Sequence, residues 1–138
     1  MSGIKLSIAT LLVVGGVLAG CTSVPKVIHT QETHQYNLNQ QCPTDLTIAV
    51  GETIRFVADD NPSTGYSWQL RAPLKHLEAT SGYQANKTEG YLIVGAGGVR
   101  TFYFKGTSVG TDQIELAYSR SWMPTQQPSN WSCKVTVK

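Results

Sequence analysis

Charge of one sign, histidine and helical periodicity are all scarce in this chain, and each scarcity excludes something. The 138 residues hold 11 Lys+Arg against 9 Asp+Glu, and charged residues make up only 14% of the total. A near-neutral charge balance offers no electrostatic footprint for nucleic acid and argues against it as a partner. Of the 3 histidines, His29 and His34 have no third ligand near them in sequence, which argues against a metal site. His76 has no serine or cysteine marked as its partner, which argues against nucleophilic catalysis. Asp59 and Asp60 are adjacent. Neighbouring side chains on a strand point to opposite faces, so the two form a poor acid–base couple and are expected at a solvated strand end. Gly95-Ala96-Gly97-Gly98 lacks the lysine and following helix of a nucleotide loop. No enzyme activity, cofactor or metal is expected. After residue 20 no stretch of ten keeps a helical period, and neither an internal repeat nor an extended low-complexity segment is present.

What is there begins with an export signal. Lys5 supplies a positive head, Leu6 to Ala19 is apolar apart from Ser7 and Thr10, and Leu18-Ala19-Gly20 places small residues before Cys21. That is the pattern of a secretory signal, and the run is short for a membrane span, which needs about 20 residues. An uncleaved anchor helix is the alternative. Leu18-Ala19-Gly20-Cys21 resembles the lipobox of bacterial lipoproteins. The resemblance implies cleavage before Cys21, acylation of its thiol and anchoring in the cell envelope. Thr22, which is not aspartate, favours the outer membrane. Residues 1–20 are then the signal peptide, 21–41 a lipidated N-terminus and polar tether, and 42–138 the folded domain. The mature chain loses only Lys5 among its charges, leaving ten Lys+Arg against nine Asp+Glu. With Cys21 lipidated, Cys42 and Cys133 remain. In an oxidising compartment they are expected to pair, two buried free thiols being the alternative.

Within the domain the period is two. Leu46, Ile48 and Val50 alternate with polar or small residues, as do Ile54, Phe56 and Ala58, then Tyr66-Ser67-Trp68-Gln69-Leu70. Tyr91 to Val94 is an apolar run. Phe102 and Phe104 share a face. Ile114, Leu116 and Tyr118 alternate, and Trp131, Cys133, Val135 and Val137 form a last strand. Ala72 to Leu77 breaks the pattern, and Arg120 to Asn130 is a long loop with two prolines. His34 to Leu38, inside the tether, can pair as an edge strand. Six or seven short strands over about 95 residues make an all-β antiparallel sandwich or barrel.

The connections carry the functional signal. In Asn61-Pro62-Ser63-Thr64-Gly65-Tyr66, Asn suits the first turn position, Pro fixes φ at the second, and Gly65 opens conformations closed to other residues. Gly95-Ala96-Gly97-Gly98 lets bare backbone approach another surface. Ser119-Arg120-Ser121-Trp122-Met123-Pro124 exposes Arg and Trp, both favoured at interface hot spots. In this order the segments resemble the chagasin family of cysteine protease inhibitors. That family has an Asn-Pro-Thr-Thr-Gly-Tyr/Phe loop with a Trp two residues on, a glycine-rich loop, and Arg-Pro-Trp or a near variant. Here the third motif is Arg120-Ser121-Trp122, with Ser121 in place of proline, and Ser63 replaces a threonine.

The resemblance covers about Pro43 to Lys138. It implies an immunoglobulin-like antiparallel β-sandwich of about seven strands, presenting three loops from one end. It implies reversible, tight inhibition of papain-like cysteine proteases by a monomer. Pro62, Ser63 and Thr64 would fill the centre of the cleft, Gly97 and Gly98 one rim, and Trp122 the other. Trp68 is expected in the core and Tyr66 at the base of the first loop. Two other readings stand beside this one. One is a lipid-anchored envelope binding or assembly module. The other is a carbohydrate-binding module using Tyr66, Trp68 and Trp122 as stacking platforms.

Overall fold

The computed structural model describes residues 33–88, 90–92 and 95–138. The signal segment, Cys21 and His29 lie outside the described residues, as do Ile93 and Val94 of the apolar run. In chain order the strands are β1 (Thr33–Asn37), β2 (Leu46–Ile48), β3 (Thr53–Asp60), β4 (Tyr66–Leu70), β5 (Leu77–Ala85), β6 (Lys87–Thr88), β7 (Tyr91–Leu92), β8 (Gly98–Gly106), β9 (Gly110–Arg120) and β10 (Ser129–Val137). Two four-stranded sheets, β1-β3-β8-β5 and β2-β10-β9-β4, face each other, and β6 pairs with β7 in a small separate hairpin. This is the immunoglobulin-like sandwich that the resemblance implied, one of the two all-β forms the strand pattern allowed. Most pairings are antiparallel, but β1 runs parallel to β3 and β2 parallel to β10. The chain passes from one sheet to the other between β1 and β2, which brings both strands in as parallel edges.

The sandwich therefore takes in Thr33–Asn37, upstream of the Cys42 boundary expected from the sequence. The reason is that Tyr36 alternates inward and is buried, its ring 6.1 Å from that of Trp131. The period-two residues make the core: Ile54, Phe56 and Ala58 from β3, Phe102 and Phe104 from β8, Ile114 and Leu116 from β9. Trp131, Cys133, Val135 and Val137 from β10 complete it. Phe56 sits at the centre, 4.5 Å from Trp131 and edge-on to Trp68 at 5.5 Å between ring centroids. Truncating a buried phenylalanine of this kind typically costs about 3–5 kcal/mol. Trp68 is 4% exposed and is core, as its place in the alternation implied. Cys42 and Cys133 are joined in a disulfide with Cα atoms 5.8 Å apart.

Strand β5 escaped the sequence pattern. Its nine residues, LEATSGYQA, bury only Leu77, so no period of two marks them. It is an edge strand held by backbone pairing to the whole of β8. Asp112 fixes where it begins. This buried carboxylate accepts the backbone N–H groups of Lys75 (3.0 Å), His76 (2.7 Å) and Leu77 (3.0 Å). The Ala72–Leu77 break is thus a fastened corner. Beside it, His76 Nδ1 lies 3.0 Å from Ser108 Oγ, a serine neighbour that the sequence did not mark.

Candidate functional site

Strand register puts the three singled-out segments at one pole. Asp60, the last residue of β3, pairs with Gly98, the first of β8. Tyr66, the first of β4, pairs with Arg120, the last of β9. The loop after β3, the segment before β8 and the loop after β9 must therefore emerge side by side.

The first loop is bonded to itself. Pro62–Thr64 forms one 3-10 turn closed by Gly65, whose φ of 82° a residue with a Cβ adopts only with strain. The Thr64 N–H donates to Asn61 O at 3.1 Å and the Gly65 N–H to Pro62 O at 2.9 Å. The Thr64 hydroxyl donates to Asn61 O at 2.7 Å and accepts the Tyr66 N–H at 3.3 Å. The Ser63 hydroxyl donates to Asn61 Oδ1. Asn61 also reaches sideways, its Nδ2 donating to Gly95 O in the second loop at 3.1 Å. Pro62, Ser63 and Thr64 are left exposed at the tip.

An aromatic ladder supports the loop from beneath. Tyr118 in β9 accepts the Asn61 N–H on its hydroxyl at 3.2 Å. Its ring lies 5.4 Å from Tyr66 and 5.5 Å from Trp68. The Arg120 guanidinium also lies over Tyr66 at 4.4 Å, a cation–π contact, and 5.9 Å from the Trp122 ring. Trp122 is 66% exposed, yet one edge of its indole leans on Gly65. A Cβ there would stand 2.3 Å from the ring. Ser121 is exposed beside it.

The second loop departs from its expected role at one residue. Gly95 and Ala96 are exposed and Gly97 half-buried, but Gly98 is buried inside β8. A Cβ on Gly98 would lie 2.1 Å from Gln84 O, so the glycine is there for sheet packing and not for the rim. The Ala96 and Gly97 carbonyls accept Asn86 Nδ2 and N at 3.3 and 2.9 Å, fastening this loop to the end of β5.

Asp60 corrects the expectation of a solvated strand end. Asp59 is exposed, but Asp60 is 2% exposed and ion-paired through Oδ2 with Arg100 Nε. The same oxygen accepts Ser67 Oγ at 3.2 Å, and the Arg100 guanidinium lies 5.4 Å from the Tyr83 ring centre. One carboxylate thus ties together the strands that carry the first and second loops. The sequence reading missed Asp60, Arg100 and Tyr118 as loop supports. The signal available was their position, each within two residues of a loop and on a strand that flanks it.

The carbohydrate-platform reading does not survive this geometry. Trp68 is buried, and the Tyr66 ring is stacked on Tyr118 and has the Arg120 guanidinium over it. What remains is a β-sandwich that carries three loops side by side at one pole.

Comparison with known proteins places it. The family model described as "Chagasin family peptidase inhibitor I42" matches residues 47–137. Amoebiasin-1 of Entamoeba histolytica is 35% identical over 95 residues, covering 69% of this chain and 91% of that protein. Chagasin of Trypanosoma cruzi is 30% identical over 95 residues, covering 67% of this chain and 84% of that protein. The solution structure of amebosin, 31% identical, superposes with a TM-score of 0.62 over 78% of this chain and 99% of that one. The chain belongs to the chagasin family of peptidase inhibitors.

Proposed function

We propose that this protein is a reversible, tight-binding inhibitor of papain-like cysteine proteases, not an enzyme, and that it works by setting its three loops into the active-site cleft. The observation that carries the reading is the internal bonding of the first loop. Papain-like proteases bind substrate as an extended strand. Here the carbonyls on either side of the tip are already engaged, Asn61 O by Thr64 and Pro62 O by Gly65. Presenting an extended peptide bond would mean breaking these bonds and turning Gly65 out of its left-handed conformation. The tip can enter the cleft but not lie in it as substrate does. Asn61, Pro62, Ser63, Thr64, Gly65 and Tyr66 form the central plug, Gly95, Ala96 and Gly97 one rim, and Arg120, Ser121 and Trp122 the other. Loops ordered before docking lose little entropy on binding, which favours affinity at a standard interface of about 1,600 Å².

The same reading makes the protein a lipoprotein, exported, acylated at Cys21 and held in the bacterial outer membrane. Support comes from the Leu18-Ala19-Gly20-Cys21 sequence and from a disulfide that suits an oxidising compartment.

The test is titration of papain with the purified mature chain. Stoichiometric inhibition, full recovery of activity on dilution and an inhibitor of unchanged mass are expected. Absence of inhibition across a panel of papain-like enzymes would leave the envelope-module reading in its place.

A further inference from the structure

The pole opposite the three loops has its own character. Two turns meet there, residues 49–52 and 107–109. They are stitched together by Gly51 N–H to Gly106 O (2.8 Å), Gly106 N–H to Glu52 O (3.0 Å) and Val50 N–H to Lys138 O (3.1 Å). Turn tips ordinarily carry Gly, Pro, Asn, Asp or Ser. These carry valines, Val50 at 51% and Val109 at 69% exposure, the most exposed large aliphatic side chains among the described residues. Exposed lysines 75, 105 and 138 surround them. The acids nearby, Glu78 apart, are engaged within the fold. Glu52 accepts the Ala49 N–H at 2.8 Å and lies 3.5 Å from His34, and Asp112 holds the β5 corner; Glu78 is exposed, opposite Lys105 in register.

The chain also enters the fold at this pole. Thr33 pairs in parallel with Thr53, the first residue of β3, so β1 starts at the end where the valines lie. Twelve positions separate Cys21 from Thr33, which at about 3.3–3.6 Å per residue allows a reach of no more than about 40 Å. A lipid at Cys21 therefore holds this pole, where the described chain begins, within about 40 Å of the bilayer.

We propose that the Val50/Val109 pole is a membrane-contact surface: the two valine tips enter the lipid headgroup region and the lysines face lipid phosphates, so that the domain stands with its loops pointing away from the membrane. The proposal rests on the lipid-anchor reading above. Two valines bind a free bilayer negligibly. An anchor already in the membrane makes their contact intramolecular, where a weak second signal is enough.

The test uses the full acylated protein reconstituted in phosphatidylethanolamine/phosphatidylglycerol vesicles that contain a spin-labelled quencher lipid. A fluorophore is placed on Lys138→Cys at the proposed contact or on Gln126→Cys at the loop pole. Quenching several-fold stronger at 138 than at 126 is expected, and Val50→Asp/Val109→Asp should abolish the difference. That double variant should still inhibit papain in detergent at the same stoichiometry, which verifies its fold. Equal quenching at both positions in protein that co-floats with vesicles would overturn the contact surface and leave the anchor standing. Failure to co-float would overturn both. A difference that arises only after envelope proteins are added would assign the pole to a protein partner and overturn the lipid assignment.

Discussion

The first and third loops are neighbours built by opposite means. The first spends five residues between strands and satisfies its own polar groups, with Asn61, Ser63 and Thr64 bonding one another across a single turn. The third spends residues 121–128, all exposed. Its bonds are sparse: Met123 N–H to Arg120 O and Gln126 N–H to Met123 O, each 3.1 Å, and Gln127 Nε2 to Pro124 O at 2.9 Å. Its one firm attachment to the first loop is the indole of Trp122 against Gly65. Under the inhibitory reading proposed above, the contrast is a division of labour. The loop proposed to resist handling as substrate has its conformation fixed beforehand. The loop proposed to grip a rim has one large anchor, and the rest can adapt.

Breaking the scaffold that both loops share should have the largest effect. Replacing Cys42 and Cys133 by alanine should cost about 4 kcal/mol of stability in the chain-entropy model, read by urea unfolding. While the domain stays folded, inhibition should change little, because the bridge lies away from the loops. Next comes the point where the loops touch. Gly65→Ala strains the left-handed turn by about 1–2 kcal/mol and displaces Trp122, so an inhibition constant roughly 100-fold weaker is expected. Trp122→Ala alone should weaken binding about 30-fold, a typical hot-spot loss of about 2 kcal/mol. In that background Gly65→Ala should cost distinctly less than it does alone. A strictly additive cycle would mean the two loops act separately. Thr64→Val removes two hydrogen bonds inside the first loop and keeps its shape. An inhibition constant about tenfold weaker is expected, together with slow cleavage of the inhibitor near the tip, visible by mass spectrometry. Intact inhibitor after prolonged incubation would show that the hydroxyl does not guard the turn. The smallest effect is a gain. Arg120 ends an extended strand, a conformation suited to precede proline. Ser121→Pro should stiffen the looser loop and tighten binding about two- to fivefold. No gain would place the adaptability of that loop among its assets.

Much of the scaffold was legible because the sheets bury one face each. Ile54, Phe56 and Ala58, or Trp131, Cys133 and Val135, alternate as visibly in the sequence as in the fold. β5 was not legible, since an edge strand held by its backbone needs no apolar alternation. β1 was readable only as an option, because Tyr36 is its single buried residue. At the site, turn chemistry gave away the first loop: proline and glycine each have a narrow conformational use at fixed offsets. The supports beneath it were hidden. Asp60 looks like any strand-end acid until Arg100, forty residues on, is found against it. Tyr118 reads as one more alternating aromatic until its hydroxyl is seen under Asn61. Long-range pairings of single polar atoms leave no local trace. Gly98 misled for the converse reason. A glycine-rich run does not say which of its members faces outward and which lets two strands close.

The cystine spans 91 positions and ends in β10, the last strand. In a polypeptide threaded through a membrane from its N-terminus, Cys42 arrives first and must wait as a thiol until almost everything else has followed. Closure of that bond is therefore a certificate of completion. A copy truncated before residue 133 can never acquire it.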